Sequence, residues 1–186
     1  MNIWKWILDR AGWTVDISAA RRQKCVICVA PHTSNLDFFM GLAAYRSKGW
    51  DANFLMKKFW FFFPLGLILR HFGGIPVDRS GRSASLTAQI AEDFREADYL
   101  NLAVTPEGTR SRTAEWHTGF LRIAVSAKVP VQLGVIDYST RSVIIRDEFM
   151  PSGDITADME FVRRYYSKWK TAARYPEKFE CPTDGR

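Results

Sequence analysis

Lys24-Cys25-Val26-Ile27-Cys28-Val29-Ala30-Pro31-His32-Thr33-Ser34-Asn35-Leu36-Asp37 is a near-continuous apolar run that breaks at a proline into a polar segment. Apolar side chains at consecutive rather than alternate positions predict a strand covered on both faces. Ser34, three residues ahead of Asp37, predicts a helix N-cap and a capping box, with the helix continuing to about Arg46. A buried strand, a short loop and a helix together open an α/β sheet.

Working outward, residues 52–56, 74–77, 100–104 and 131–136 read as further strands, the last with a hairpin partner at 142–146. Residues 83–97 read as a helix with Leu86, Ile90 and Phe94 on one face; residues 118–128 and 156–172 read as two more. Residues 3–11 read as a short amphipathic helix, and the Phe-rich stretch 57–72 has no assigned structure. The alternation predicts an α/β fold: a single domain, a central mixed sheet flanked by helices, with a short N-terminal amphipathic helix. The expected organisation is one domain over 1–186, with an amphipathic segment at 1–23, a motif-bearing core at 24–137 and a disordered tail at 177–186.

At 186 residues, 47% hydrophobic and 25% charged, the chain has the composition of a globular domain. Its net charge of +6 favours anionic partners. No Lys/Arg tract or nucleic-acid-binding signature is present, so nucleic acid is not expected among them. Cys25 and Cys28 form a C-x-x-C, but positions i and i+3 of a strand face opposite ways, and no second pair follows at zinc spacing. No metal is expected, and the cysteines are expected to be reduced and buried. The start of the chain carries no signal-peptide pattern, and no segment reaches transmembrane length.

Three loops carry candidate chemistry. In the first, a carboxylate at Asp37 that accepts the Nδ1 proton of His32 fixes the tautomer and leaves Nε2 free to take a proton from a nucleophile. In the second, Gly73-Gly74-Ile75-Pro76-Val77-Asp78-Arg79, paired glycines permit close backbone approach, and Arg79 offers a fork of donors suited to phosphate or carboxylate. The third, Thr105-Pro106-Glu107-Gly108-Thr109-Arg110-Ser111, follows a strand and combines an acid, a glycine, hydroxyls and an arginine, a set that can hold a polyol and an anion.

With these blocks in view, the chain resembles the glycerolipid acyltransferase family typified by 1-acyl-glycerol-3-phosphate acyltransferases. The resemblance rests on His32-Thr33-Ser34-Asn35-Leu36-Asp37, Gly74-Ile75-Pro76-Val77-Asp78-Arg79 and Pro106-Glu107-Gly108-Thr109-Arg110-Ser111, with a weaker block at Val129-Pro130-Val131. It implies transfer of an acyl group from acyl-CoA or acyl-ACP to a lysolipid hydroxyl, with no cofactor. It implies His32 as general base, Asp37 as its orienting partner, and Lys57, Gly74, Arg79, Glu107, Gly108, Thr109 and Arg110 as substrate-binding residues. Thr105 stands where the family usually has an aromatic, and Pro31 where asparagine is common, which leaves a lyso-aminolipid open as the acceptor. A hydrolase using the same base, and a non-catalytic lipid-binding module, are the other readings.

The Trp-rich start, the Lys57-to-Leu69 segment, and a final helix carrying Arg163, Arg164, Lys168, Lys170, Tyr165, Tyr166 and Trp169 mix aromatic and cationic groups. The expectation is peripheral attachment to an anionic membrane surface, on the cytoplasmic face of the inner leaflet.

Overall fold

The structure, a computed structural model of the chain, describes residues 2–77 and 83–182. Seven strands form one sheet: β1 (Thr14–Ile17), β2 (Lys24–Val29), β3 (Asn53–Lys57), β4 (Gly74–Val77), β5 (Leu100–Val104), β6 (Val131–Asp137) and β7 (Ser142–Phe149). Their order is β1-β7-β6-β2-β5-β3-β4. β2 to β6 are mutually parallel, whereas β7 runs antiparallel to β6 and β1 runs with β7, so the sheet is mixed.

Six α-helices accompany it among the described residues: α1 (Ile3–Arg10), α2 (Asn35–Ser47), α3 (Leu65–His71), α4 (Ser83–Glu96), α5 (Gly119–Ala127) and α6 (Ile155–Tyr166). α4, α5 and α6 cover one face, where Ile90, Phe94, Leu121, Ala124 and Val162 pack on Val26, Cys28, Leu102 and Leu133. α1 and α2 cover the other, where Tyr45 meets Cys25 and Ile27, and Leu8 meets Ala44, Ile136 and Val143. This is why β2 is apolar at consecutive positions: both of its faces are core. Cys25 and Cys28 lie on opposite sides of the sheet, and burial pushes the Cys25 thiol up to about 12 and the Cys28 thiol up as well.

Three expectations are corrected, and the stretch 57–72, left without an assignment, acquires one. The 1–23 segment is not only an amphipathic lead-in. Thr14–Ile17 forms an edge strand whose four-residue length and one-sided cover leave little periodicity to read; it is held by pairing to β7 and by Arg146 Nε donating to Asp16 at 2.7 Å. The stretch 57–72 holds a 3₁₀ turn at Lys58–Trp60 and then α3, closely packed: a Cβ on Gly66 would lie 2.7 Å from the Phe61 backbone. The final helix ends at Tyr166 and continues as a 3₁₀ helix over Ser167–Ala172, because Tyr166 is drawn fully into the core, its hydroxyl donating to the Cys28 carbonyl at 2.6 Å and the Gly134 carbonyl at 3.1 Å. The segment from Pro176 to Pro182 packs on the domain: Phe179 is buried, and Trp116 Nε1 donates to the Glu180 carbonyl at 3.0 Å. Residues 183–186 of the expected tail lie outside the described residues.

The parallel strands all point their C-terminal ends to one edge of the sheet. β2 sits between β6 and β5, so the loop leaving β2 (residues 30–34) and the loop leaving β5 (residues 105–118) emerge side by side. That edge is where ligands sit in such sheets.

Candidate active site

The loop after β2 places His32 against the first turn of α2. His32 Nδ1 lies 3.1 Å from Asp37 Oδ2, with the His side chain 15% exposed and that of Asp37 3%. Asp37 is also the helix cap. Ser34 and Asp37 form a reciprocal capping box, and Asp37 Oδ2 accepts the backbone N–H groups of Thr33 and Ser34, each at 2.9 Å. Its other oxygen, Oδ1, accepts the Tyr138 hydroxyl at 2.7 Å. Burial pushes the Asp37 carboxyl up, but the hydrogen bonds from His32, Tyr138 and Ser34 outweigh it and hold the carboxyl below the ordinary carboxylate range. Asp37 is therefore an anion beside the ring. An Nδ1–H donated to it leaves Nε2 as the acceptor, which suits a general base.

The loop after β5 supports the same histidine from behind. Glu107 Oε1 accepts the backbone N–H of His32 at 2.8 Å, and Glu107 is 3% exposed. Burial raises the Glu107 carboxyl, the bond from His32 lowers it, and the charge of Asp37 raises it again, to about 8. Such a group binds a proton on folding between its ordinary range and pH 8. The stability it contributes is present below pH ~4.5 and lost as pH rises through ~8. The expected result is that Glu107→Gln removes this slope: urea unfolding of the wild type weakens from pH 5.5 to 8.5 by on the order of 2 kcal/mol more than that of the variant. Parallel pH dependences in the two proteins would overturn the assignment.

Gly108 follows in a left-handed conformation at φ +63°, and a Cβ there would sit 2.5 Å from His117 Cδ2. The glycine thus lets the His117 ring close over the loop, while the His117 N–H donates to the Pro106 carbonyl at 2.7 Å. Thr109 Oγ1 accepts the Ser111 N–H at 3.1 Å and shapes the turn. Arg110 is exposed and lines the same cleft as His32, Asp37, Phe39 and His117.

The remaining residues picked from sequence are placed apart. Lys57 is exposed at the C-terminal end of β3, two strands from β2. Gly74 begins β4, at the end of that strand away from the cleft edge. A Cβ on it would lie 2.8 Å from the Leu69 carbonyl oxygen, so close packing on α3 accounts for the glycine. Arg79 lies outside the described residues.

Three residues at this site escaped the sequence reading: His117, Tyr138 and Arg174. Tyr138 follows β6 directly. Arg174 lies beyond α6, where its Nη1 donates to Ser34 Oγ at 3.2 Å, and the neighbouring Tyr175 N–H donates to Thr33 Oγ1 at 3.2 Å. No spacing from His32 or Asp37 signals Tyr138 or Arg174, since the contacts span about a hundred residues or more.

A family model described as Acyltransferase matches residues 14–136. The chain belongs to the acyltransferase family. The match begins with β1 and ends one residue short of the end of β6, so it takes in the His32, Gly74 and Glu107 blocks, strands β2 to β5 and nearly all of β6. Membership supports transfer of acyl groups as the general activity. No curated protein matches the chain.

Proposed function

We propose that this chain moves a fatty acyl group from a thioester, on coenzyme A or acyl carrier protein, to the hydroxyl of a lysophospholipid such as 1-acyl-glycerol-3-phosphate. The observation that carries the reading is the His32–Asp37 pair: a mostly covered imidazole on a buried carboxylate that accepts four hydrogen-bond contacts, in a member of an acyl-transferring family.

In the reaction, His32 Nε2 takes the acceptor hydroxyl proton as its oxygen bonds to the thioester carbonyl carbon. The tetrahedral adduct then expels the thiolate, which recovers the proton from the imidazolium, giving an ester and a free thiol. Asp37 stabilises the transient imidazolium. Direct transfer is favoured over an acyl-enzyme because the two sheet cysteines are buried with raised pKa values, and Ser34 Oγ is engaged in the helix cap and by Arg174. The thioester is already activated, so the chemistry calls for no metal or organic cofactor. Arg110 and Lys57, with Arg79, are the cations proposed for the acceptor phosphate.

The test is incubation with labelled acyl-CoA and acyl-ACP against a panel of lysophosphatidic acid and lyso-aminolipids. Labelled diacyl product is expected with lysophosphatidic acid. Label appearing only as free fatty acid would replace transfer by hydrolysis.

A peripheral position on an anionic, cytoplasmic membrane face belongs to the same proposal. Phe59, Trp60, Phe62, Phe63, Leu67 and Ile68 are all exposed around α3, with Lys57, Lys58 and Arg70 beside them, and Phe39 projects from the first turns of α2. Phe63 is 83% exposed, which in a folded domain marks an apolar contact surface. Trp4 of α1 joins this face through an edge contact with Phe72. On the final helix and the turn after it, Tyr166 is buried and Tyr165 and Trp169 pack against the core, while Phe161 is exposed, so this helix offers less apolar surface than the α3 region. A Phe59→Ser/Phe63→Ser double variant is expected to lose at least about tenfold in partition onto anionic vesicles, with an unchanged Tm. Wild-type partition would remove this face from the proposal. Deleting α1 is a poorer test, because Leu8 is part of the core.

A further inference from the structure

We propose that Tyr138 is a positioning residue for acyl transfer, fixing the Asp37 carboxylate from the side opposite His32. This rests on the proposed roles of His32 and Asp37 and adds a residue outside the family's matched span, which ends at residue 136.

The need for such a residue follows from the geometry of an aspartate. The torsion that turns its carboxylate plane has broad minima, so rotamer preference does not hold the plane and hydrogen bonds must. Oδ2 is shared by His32 Nδ1 and the N–H groups of Thr33 and Ser34. Oδ1 is met by the Tyr138 hydroxyl. With both oxygens engaged, the plane that faces the imidazole is set. Burial, and then the bond to Asp37, keep the Tyr138 hydroxyl protonated and hence a donor.

Tyr138 is itself held on several sides. Its N–H donates to the Ala172 carbonyl at 2.9 Å. Its ring meets Trp13 edge-on, at 5.1 Å between centroids. The Arg174 guanidinium lies 5.9 Å from the ring centroid while also donating to Ser34 Oγ. The turn that carries it is tied by Asp137, whose carboxylate accepts the Ser139 and Thr140 hydroxyls at 2.6 and 2.7 Å. The segment after α6 thus closes back on the catalytic loop through Tyr138, and the hydroxyl is aimed rather than free to turn to solvent.

Tyr138→Phe keeps the ring and its packing and removes only the donor. In a double-mutant cycle with Asp37→Asn, the proposal expects Tyr138→Phe to lower kcat about tenfold with both KM values within twofold of wild type, and to lower it less than twofold further once Asp37 is already asparagine. Equal losses in both backgrounds, or a wild-type kcat in the single variant, would overturn it. A second readout is independent of turnover. Long-range ¹H–¹⁵N spectra of the three histidine rings, assigned with His32→Gln, are expected to show one Nδ1–H tautomer for His32 in the wild type and a mixture in Tyr138→Phe. An unchanged His32 pattern would overturn the proposal. A wild type with no transferase activity would instead count against the lysolipid reading, and the spectra alone would then decide Tyr138.

Discussion

Asp37→Ala is expected to lower acyl transfer about a thousandfold and to cost the fold about 3 kcal/mol. The two effects come from one carboxylate with two jobs. It accepts the Thr33 and Ser34 amides and closes the capping box of α2, so its loss strands donors at a buried helix start. A lost cap costs ~1 kcal/mol and each orphaned buried donor on the order of 1–3 kcal/mol. It also removes the anion beside His32 Nδ1 and the acceptor of Tyr138. Urea unfolding reads the first effect and labelled-donor turnover the second. An alanine variant as stable as wild type would mean that the cap is not carried by this side chain. One that still turned over at a comparable rate would remove Asp37 from the mechanism.

His32→Ala is expected to do only the second of these things. Turnover should fall about a thousandfold, within the range that a positioned general base supplies. Stability should change by less than about 1 kcal/mol, because the ring is partly exposed and its buried attachment is the backbone N–H that Glu107 accepts, which alanine keeps. Retention of more than a tenth of the wild-type rate would exclude His32 as the base. The pair of variants separates chemistry from architecture: equal losses of activity with unequal losses of stability are the signature of a dyad whose acid partner is also structural.

Much of this was open to reading along the chain. Cys25 to Val29 announced a strand buried on both faces because apolar residues followed one another without alternation, and Ser34 with Asp37 announced the helix start because a capping box is a local structure. The first family block is local for the same reason: His32 and Asp37 reach each other across a single loop. Elements with weak or mixed local signals were harder. Thr14–Ile17 is too short and too polar to declare itself, and becomes a strand only because β7 offers it an edge. Tyr166 looked like an interfacial aromatic and is a core residue, since a helical face by itself does not say what will cover it.

The sequence by itself determined the spacing of His32 and Asp37, the helix cap and the buried strands, because each depends on neighbours within a few residues or on a periodicity that survives in one dimension. Only the tertiary structure decided what stands around the dyad. Strand order sets β5 beside β2 and so brings Glu107 under the His32 backbone. The turn after β6 delivers Tyr138 to Asp37 across 101 positions, and the segment after α6 delivers Arg174 to Ser34 across 140. Contacts at such separation depend on how the layers stack, and no local pattern of residue types encodes them.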